Sequence, residues 1–274
     1  MTDLKQKLAD LQAYFKELGS VAIAFSSGVD STFMLAVASQ VLPKDKVLAI
    51  TAVSNFFPER EKSEADAFCR ERGIKHIFLP IDVLTVEGVK QNPKNRCYLC
   101  KYALFTQVQK LAAENGIRNV CEGSNLDDLK DYRPGMKAIT ELNIKSPLKV
   151  AGLTKQDIRD LSKEMHLPTW NKPSFACLAS RFVYGEEITA EKLKMVEKAE
   201  EFLADLGFEQ FRVRLHGTMA RIEVLPQDIE KITLSETREK IIKAFADFGF
   251  SYTTLDLKGY RTGSMNETIL KDTK

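Results

Sequence analysis

Four short apolar runs alternate with helical patterns in the first half of the chain. They are rich in β-branched residues, and they end at or near Phe25, Val53, Ile81 and Cys121. Short apolar runs between turns are typical of strands buried on both faces, and strands that alternate with helices form a parallel sheet. The chain is therefore predicted to be an α/β protein with a doubly wound parallel sheet. In such sheets ligands bind beyond the carboxyl ends of the strands.

The pattern changes after about Thr154. The stretch "TKQDIRDLSKEMHL" predicts an amphipathic helix that Thr154 caps. Beyond Tyr184 the chain predicts a helix, two strands joined by a turn at His216–Gly217, a second helix and a last strand. We therefore predict two domains, a parallel-sheet domain at 1–183 and a smaller C-terminal α+β domain at 184–274.

The charge of the chain is nearly balanced, with 40 basic and 38 acidic residues and a formal net charge of +2. Proteins that bind tRNA or DNA usually carry a marked basic surplus, because phosphate neutralisation supplies most of their affinity. No run approaches the ~18 apolar residues that span a bilayer, and the amino-terminal helix pattern lacks the features of a signal peptide. We therefore expect a cytoplasmic protein without a membrane partner, and the near-balanced charge argues against a nucleic-acid partner without excluding a local basic patch.

The segment "AFSSGVDST" joins the first predicted strand to the next helix. Such a Ser/Gly turn directs backbone N–H groups and a helix N-terminus to the place where a phosphate would bind. Gly28 lets the backbone approach the anion, Ser26 and Ser31 can donate from their hydroxyls, and Asp30 can hold a magnesium ion. The segment is not a Walker A loop. The alternative is an ordinary helix start, in which Asp30 and Ser31 cap exposed N–H groups.

Five cysteines in a chain with no export signal argue against structural disulfides. Cys69 and Cys121 fall in apolar patterns and are expected in the core, which leaves Cys97, Cys100 and Cys177. One C-x-x-C pair is half of a zinc site, but no second pair or nearby histidine completes it. The three histidines are scattered, and each is expected in the core or at the surface: His76, His166 and His216.

The segment from Ser26 to Ser31 resembles the S-G-G-x-D-S loop of the PP-loop ATP pyrophosphatases, which have an adenine nucleotide alpha hydrolase-like fold. The resemblance implies cleavage of ATP to AMP and pyrophosphate, with transfer of the adenylyl group to a substrate. Ser27 stands where that superfamily usually has its first glycine. If the position needs a positive φ, serine there carries backbone strain.

Three further stretches are similar to the LarE family of sacrificial sulfur transferases: "NRCYLCK", "EGSNLDDLKDYRPGMKAITE" and "PSFACLASRF". The later stretches "FRVRLHGTMARIEV" and "TLDLKGYRTGSMN" are similar to the same family, so the resemblance runs from about residue 20 to residue 266. Each stretch alone is a weak signal. Their shared order and spacing make the resemblance fairly specific.

The resemblance implies a two-stage reaction in nickel-pincer nucleotide synthesis. ATP adenylates a carboxylate of a pyridinium-3,5-dicarboxylate mononucleotide, and the Cys177 thiolate then attacks the acyl adenylate and expels AMP. Cleavage of the Cβ–S bond leaves a thiocarboxylate on the substrate and dehydroalanine at position 177. The chain would therefore give up one sulfur atom of its own.

Cysteine suits this role because it is the best nucleophile among side chains at neutral pH. Arg181 and Lys101 would supply positive charge that favours the thiolate and stabilises released negative charge. In "SNLDD", at a strand's carboxyl end, Asn125 and Asp128 are assigned to the nucleotide. Asp127 and Asp128 would hold magnesium or a ribose hydroxyl. The alternative is that both acids only cap a helix start within this loop.

The resemblance also assigns side chains of the smaller domain. Arg212 and Arg214 would anchor the substrate phosphate, which suits the bidentate fork of arginine; the alternative is a solvated strand face. Glu200, Glu223 and Asp228 match a second cation site of the family, with surface salt bridges as the alternative.

Cys97 and Cys100 add a second route for sulfur. With Cys177 they could supply three ligands to a [4Fe–4S] cluster and leave one iron open to carry a spare sulfur. Some relatives use such a cluster instead of consuming a cysteine. Ordinary packing of two unreactive thiols is the alternative.

Three other functions stay open. A tRNA thiolase of the same superfamily typically adds a basic RNA-binding domain or zinc knuckles, which this sequence lacks. An amide-forming adenylating ligase would need ammonia and would leave Cys177 idle, and a non-catalytic nucleotide-binding module would bind ATP without releasing pyrophosphate. The resemblance further implies a homo-oligomer and links to other enzymes of nickel-pincer cofactor synthesis.

Overall fold

The computed structural model describes residues 3–56, 59–130, 134–173, 176–261 and 263–264. The chain divides into two compact units. The first contains Met1–Val86 and Asn95–Phe175, and the second contains Glu87–Lys94 and Ala176–Lys274.

The first unit is built on a parallel sheet. Its four strands are β1 (Val21–Ala24), β2 (Val47–Val53), β3 (Lys75–Pro80) and β4 (Asn119–Cys121). Their order is β3-β2-β1-β4, and every neighbouring pair is parallel. The predicted α/β fold with a doubly wound parallel sheet is confirmed. The chain moves outward from β1 to β3 and then returns to the other side of β1, so the β1 and β4 exits flank the point where ligands bind in such sheets.

Helices cover both faces of this sheet. They are α1 (Asp3–Leu18), α2 (Val29–Val41), α3 (Glu59–Arg72), α4 (Arg96–Glu114), α5 (Gly135–Glu141), α6 (Pro147–Val150) and α7 (Lys155–Glu164). Val21 and Ile23 pack in one core with α1, α2 and α7, whereas Ala22 packs in a second core with α4 and α5. Successive residues of a strand point to opposite faces, and this alternation separates the two cores.

The predicted N-cap of α7 is confirmed. The Thr154 hydroxyl accepts a hydrogen bond from the Asp157 N–H, and the Asp157 carboxylate accepts one from the Thr154 N–H. This reciprocal capping box satisfies two N–H groups that a helix start would otherwise leave unpaired. It places Lys155 as the first residue of α7.

The second unit contains a three-stranded sheet. Its strands are β5 (Phe211–His216), β6 (Met219–Val224) and β7 (Tyr252–Leu255), and its helices are α8 (Ala190–Asp205), α9 (Ile229–Thr233) and α10 (Ser235–Phe248). β5 and β6 are antiparallel, as the turn at His216–Gly217 predicts, and β7 joins β6 in parallel. Gly217 has a φ of +61°, which suits the tight turn between the two antiparallel strands.

The division between the units falls before the sequence-based boundary at 183. Phe182 forms a parallel bridge with Leu215, and the Asn92 amide donates to the Val183 carbonyl at 2.7 Å. These contacts tie 176–183 and 87–94 to the smaller unit. Composition could not locate this boundary, because it depends on long-range pairing.

Within the described ranges, no helix combines the length and apolar character needed to cross a bilayer.

Candidate active site

The segment Ser26–Ser31, which is predicted to bind phosphate and is called the phosphate loop below, runs from the end of β1 into the start of α2 at the carboxyl end of the sheet. The Ser31 hydroxyl lies 3.2 Å from the Ser26 hydroxyl and donates to the Gly28 carbonyl at 3.3 Å. The Ser26 N–H in turn donates to the Ser31 hydroxyl at 3.3 Å. These contacts curl the loop over the start of α2, where helix N–H groups and the helix dipole favour an anion.

Ser27 has a left-handed backbone, with a φ of +52°. The position therefore does need a positive φ, and serine rather than glycine occupies it. The Ser27 hydroxyl donates to the Glu61 carbonyl at 3.3 Å, and the Lys172 ammonium donates to the Ser27 carbonyl at 3.2 Å. Lys172 also pairs with the Glu64 carboxylate at 2.5 Å. These contacts hold a conformation that a residue with a Cβ does not favour.

The strain at Ser27 predicts an order of stability for two substitutions. Ser27→Gly and Ser27→Ala both remove the hydroxyl, but only glycine removes the Cβ that opposes a positive φ. We expect Ser27→Gly to unfold with a free energy about 1 kcal/mol higher than Ser27→Ala. Urea denaturation measures the difference.

A matched pair at Ser39, inside α2, tests whether the effect is local. There Ser39→Gly should be less stable than Ser39→Ala, because glycine weakens a helix interior by about 1 kcal/mol. The same order at both positions would contradict the assignment of strain to Ser27.

Gly28 has an ordinary φ of −78°, so the backbone angle does not require glycine there. A Cβ at Gly28 would lie 3.4 Å from the Ser26 hydroxyl oxygen, which is an ordinary contact. The close approach of an anion to the backbone therefore remains the prediction for this glycine.

Asp30, in the first turn of α2, contacts residues that follow β4, the strand next to β1 in the sheet. Its carboxylate accepts from the Asn125 amide at 3.3 Å and from the Lys155 ammonium at 2.5 Å. The sheet order brings these residues together, because Asn125 follows β4 and β4 is the neighbour of β1. Gly123 makes this approach possible, since a Cβ there would lie only 3.2 Å from the Asp30 Cβ.

The two other acids of "SNLDD" each accept a hydrogen bond from a main-chain N–H, one nearby in the sequence and one at the start of α7. Asp128 accepts from the Asn125 N–H at 3.0 Å, and Asp127 accepts from the Lys155 N–H at 2.9 Å. These contacts match the capping alternative. Their roles toward magnesium or ribose remain predictions.

Cys97, Cys100 and Lys101 lie in the first two turns of α4. Cys97 and Cys100 are three residues apart on one side of the helix, and both are half-buried. A Cβ on Gly135 of α5 would come within 2.9 Å of the Cys97 sulfur and 2.7 Å of the Lys101 Cδ. Glycine at this position therefore lets α5 pack closely over both side chains.

Cys177 differs from the other cysteines because its side chain is exposed. It stands immediately before a short 3-10 turn, Leu178–Arg181. Cys69 and Cys121 are buried, as predicted, and burial raises the pKa of the Cys69 thiol to about 12. Cys177 is therefore the thiol best placed to react with a molecule from solvent.

Arg181 lies almost wholly inside the second unit, with 1% of its surface exposed. Its Nε and Nη2 donate to the two Glu200 carboxylate oxygens at 2.9 and 2.7 Å. Its Nη1 donates to the carbonyls of Ala176 and Cys177 and to the Ser180 hydroxyl. The guanidinium therefore contacts the main chain of the Cys177 segment, a feature that the sequence reading of Arg181 did not include.

The buried pair is charged. Burial raises the pKa of the Glu200 carboxyl, but Arg181, Arg212 and the Val213 N–H together outweigh this effect and hold the pKa below its usual value. Burial lowers the pKa of Arg181, but Glu200, with smaller effects from Cys177 and Tyr260, raises that pKa overall. Glu200 also accepts from the Val213 N–H of β5 at 2.9 Å.

Arg212 and Arg214 of β5 are buried, with 3% and 5% exposure, which excludes the solvated strand face. Arg214 pairs with Glu223 at 2.9 Å and donates to the Ser180 carbonyl at 2.9 Å. Arg212 faces the Tyr260 ring at 5.2 Å. Burial, followed by the nearby charge of Arg181, lowers the pKa of Arg212 to about 10.

Glu200 and Glu223 are buried within ion pairs, so the surface salt-bridge alternative is wrong for both. Asp228 ends the 3-10 turn Pro226–Asp228, just before α9. In the described part of the chain, no three His, Cys, Asp or Glu side chains form a group that could hold a metal. The second cation site therefore remains a prediction.

His76 and His216 each contact a neighbouring side chain, and His166 is exposed. His76 is in the core of the first unit, where its Nε2 lies 2.8 Å from the Thr51 hydroxyl and burial lowers its pKa. His216 accepts a hydrogen bond from the Arg221 Nε at 3.1 Å.

One relative settles the family. A protein of Lactiplantibacillus plantarum named pyridinium-3,5-bisthiocarboxylic acid mononucleotide synthase is 37% identical over 271 residues, which cover 99% of this chain and 98% of the relative. The chain belongs to the LarE family.

Two other relatives of this LarE chain cover nearly its full length. An uncharacterized protein of Synechocystis sp. is 42% identical over 268 residues, 98% of this chain and 100% of the relative. An uncharacterized protein of Methanocaldococcus jannaschii is 32% identical over 260 residues, 94% of this chain and 98% of the relative. No protein-family model matches the chain.

Each unit of this LarE protein contains some of the candidate site residues. The first unit brings together the phosphate loop, Asp30 and Asn125, and separately Cys97 with Lys101. The second unit joins Cys177 to Arg181 and Glu200, and joins Arg214 to Glu223. Within the LarE-like stretches, residues 131–133, 174–175, 262 and 265–266 lie outside the described residues.

Sequence reasoning missed Lys155, Lys172 and Gly123. Lys155 follows the Thr154 cap and Gly123 follows β4, so a search for polar or small residues at the carboxyl ends of the strands could have found both. Lys172 had no such signal, because its contact with Ser27 depends on how a distant loop returns to the sheet.

Proposed function

We propose that this LarE-family protein is an ATP-dependent sulfur transferase that converts a carboxylate of pyridinium-3,5-dicarboxylate mononucleotide to a thiocarboxylate. The observation that carries the proposal is the 37% identity, over nearly the whole chain, to a relative named as a synthase of the bisthiocarboxylic acid product. The exposed Cys177 thiol supports it, because it is accessible to a substrate carboxyl group.

The phosphate loop would bind ATP. Ser26, Gly28 and Ser31 would contact the phosphates through hydroxyl and N–H groups, and Asn125 and Asp128 would lie toward the nucleoside. Asp30 is the carboxylate that would hold Mg²⁺, since carboxylate oxygens are its usual protein ligands. When bound, the ion would neutralise charge on the pyrophosphate. Lys155, now paired with Asp30, would then be released toward a phosphate.

Cys177 would attack the acyl adenylate as a thiolate, with AMP as the leaving group. The acyl carbon would bond to sulfur and form a thioester with the chain. Loss of the Cα proton and cleavage of the Cβ–S bond would then leave the sulfur on the substrate. Lys101 is proposed to stabilise the negative charge that these steps release.

Arg212 and Arg214 would anchor the substrate phosphate. The buried Nε of Arg214 has no hydrogen-bond partner within the described residues, which leaves one donor for an anion. Burial strengthens an arginine–phosphate interaction, because solvent screens it less. Glu223 would keep Arg214 charged and oriented for this contact.

The test is the mass of the intact protein after turnover with ATP and the mononucleotide. We expect one pyrophosphate and one AMP for each thiocarboxylate formed, and loss of one hydrogen sulfide equivalent that maps to Cys177. Product formation with an unchanged protein mass would overturn the sacrificial mechanism.

The cluster route makes a different prediction from the same experiment. Cys97 and Cys100 would supply two thiolate ligands, and Cys177 a third, to a [4Fe–4S] cluster. Protein purified without oxygen would then contain iron and would form more than one product per chain with added sulfide. A Cys97→Ser/Cys100→Ser variant would lose both properties, whereas sacrificial transfer predicts neither property in the parent.

The proposal includes a cytoplasmic homo-oligomer with a nucleotide as its small-molecule substrate, acting with other enzymes of nickel-pincer cofactor synthesis. It includes no nucleic-acid partner. Salt-sensitive binding of tRNA in a gel shift would instead favour the thiolase.

A further inference from the structure

The carbonyl oxygen of Cys177 accepts two hydrogen bonds. The Ser180 N–H donates to it at 2.9 Å, and the Arg181 Nη1 donates to it at 3.1 Å. One donor is a main-chain group fixed by the 3-10 turn, and the other is a positively charged guanidinium. Both distances lie in the range of donors that stabilise an oxyanion in enzyme sites.

The guanidinium is held in this position from the other side. Glu200 binds it through two oxygens, at 2.9 and 2.7 Å, and Glu200 is itself held by the Val213 N–H. The Nη1 group also donates to the Ala176 carbonyl at 2.5 Å and to the Ser180 hydroxyl at 3.0 Å. The Arg181 side chain is 1% exposed and is fixed by Glu200 and by the Cys177 segment, so it does not need to reorganise when charge develops nearby.

Charge does develop at this carbonyl if Cys177 loses its sulfur by elimination. Removal of the Cα proton places a pair of electrons next to the carbonyl, and much of that charge moves to the carbonyl oxygen as an enolate. The pair then forms the Cα–Cβ double bond, the Cβ–S bond breaks, and the sulfur leaves with its electrons as part of the thiocarboxylate. A base from solvent can take the proton at this exposed residue.

We propose that the Ser180 N–H and the Arg181 guanidinium form an anion-stabilising site for the enolate of Cys177. In this role Arg181 makes the Cα proton easier to remove. It acts on the second half of the reaction, after sulfur has bonded to the substrate. The inference rests on the proposed function, because only sulfur loss at Cys177 requires an enolate there.

A purely structural role for Arg181 predicts other behaviour. In that case the arginine holds the segment in place, and its replacement weakens the attack by sulfur and the loss of sulfur together. Stabilisation of the enolate predicts that elimination alone becomes slow. The two roles therefore differ in whether a protein-bound intermediate accumulates.

The first experiment measures elimination without ATP or substrate. A bis-alkylating dibromide converts a cysteine to a cyclic sulfonium, which loses its Cα proton to give dehydroalanine. In a full-length Cys97→Ser/Cys100→Ser background the reagent meets Cys177, because Cys69 and Cys121 are buried. Intact mass then gives separate rates for alkylation and for decay of the alkylated protein.

We expect Arg181→Lys to slow this decay by about 10²-fold, as loss of one oxyanion donor does in enzymes, while alkylation changes little. Lysine keeps a positive charge beside Glu200 but cannot reach Glu200 and the Cys177 carbonyl together. If Arg181→Lys does not fold, Arg181→Met/Glu200→Gln removes both buried charges and gives the same comparison.

Arg159→Lys is the matched control. Arg159 also donates to two main-chain carbonyls, those of Trp170 and Lys172 at 2.8 and 2.9 Å, but neither belongs to a reacting residue. The alkylated Arg159→Lys protein should decay at the same rate as the alkylated parent protein. Equal decay in Arg181→Lys and the parent, or equal slowing in both variants, would overturn the proposal.

The second experiment uses ATP and the mononucleotide with the Arg181→Lys protein in the otherwise native chain. We expect the acyl thioester at Cys177 to accumulate, seen as an added mass, where the native chain passes on to dehydroalanine. Slow formation of dehydroalanine with no adduct would contradict a role in elimination. If the proposed function fails, the native chain shows neither species with ATP, and the chemical experiment still decides the role of Arg181.

Discussion

Cys177→Ala is expected to abolish thiocarboxylate formation while it leaves pyrophosphate release intact. The substitution changes Cys177 of the second unit and none of the first-unit residues that are proposed to bind ATP. Product formation should fall by at least about 10³-fold, as it does when a nucleophile is removed. Single-turnover assays of pyrophosphate and thiocarboxylate on the same sample measure both quantities.

Cys177→Ser sharpens this test. Serine can attack an acyl adenylate only weakly and carries no sulfur, so it should also give no thiocarboxylate. An amide-forming ligase would leave both variants active with ammonia. Thiocarboxylate formed by either variant at the native rate would remove Cys177 from the mechanism.

Glu200→Gln is expected to lower the free energy of unfolding by about 3–5 kcal/mol, because it leaves the Arg181 charge buried without its counter-ion. Arg181→Met alone should cost a similar amount, since it leaves the Glu200 carboxylate unpaired in the same interior. Urea denaturation of the full chain, followed by circular dichroism, measures each loss.

The double variant Arg181→Met/Glu200→Gln should recover much of that loss. With both charges removed, no uncompensated charge stays buried. The effects of substitutions at two residues in direct contact on the free energy of unfolding are commonly non-additive. A double variant whose loss equals the sum of the two single losses would contradict a direct Arg181–Glu200 interaction.

The same pair predicts a dependence of stability on pH. The pKa of Glu200 lies below its usual value in the folded state, so its contribution is complete above the unfolded value of about 4.3. The contribution is lost as the pH falls through the lower folded value. The stability difference between the native chain and Glu200→Gln should therefore narrow below about pH 4. A stability difference that stays constant as the pH falls below about 4 would contradict the charged Arg181–Glu200 pair.

Much of the first unit could be predicted because its signals are local. Apolar runs of strand length and helical spacing reflect burial on two faces of a sheet, and the four predicted strands all appear in the structure. The phosphate loop has a local signal too, since the Ser/Gly turn and the acid lie next to each other in the chain. The sequence raised the question of a positive φ at Ser27, and the structure answered it with a φ of +52°.

The contacts of Arg181 and Lys155 could not be predicted in the same way. Arg181 contacts Glu200 of α8, and Lys155 contacts Asp30 of α2, 125 positions away. Nothing in the local sequence specifies such pairs, because each of these charged side chains could instead lie at the surface in contact with water.

The sequence by itself determined the class of fold and the segment predicted to bind phosphate, since both depend on neighbouring residues, whereas the proposed role of Cys177 as sulfur donor came from the family resemblance. Only the tertiary structure decided what Arg181 contacts, which lysine pairs with Asp30, and that Arg212 and Arg214 are buried. These features depend on how distant segments pack, and burial sets whether a charge is screened by water or fixed by one partner.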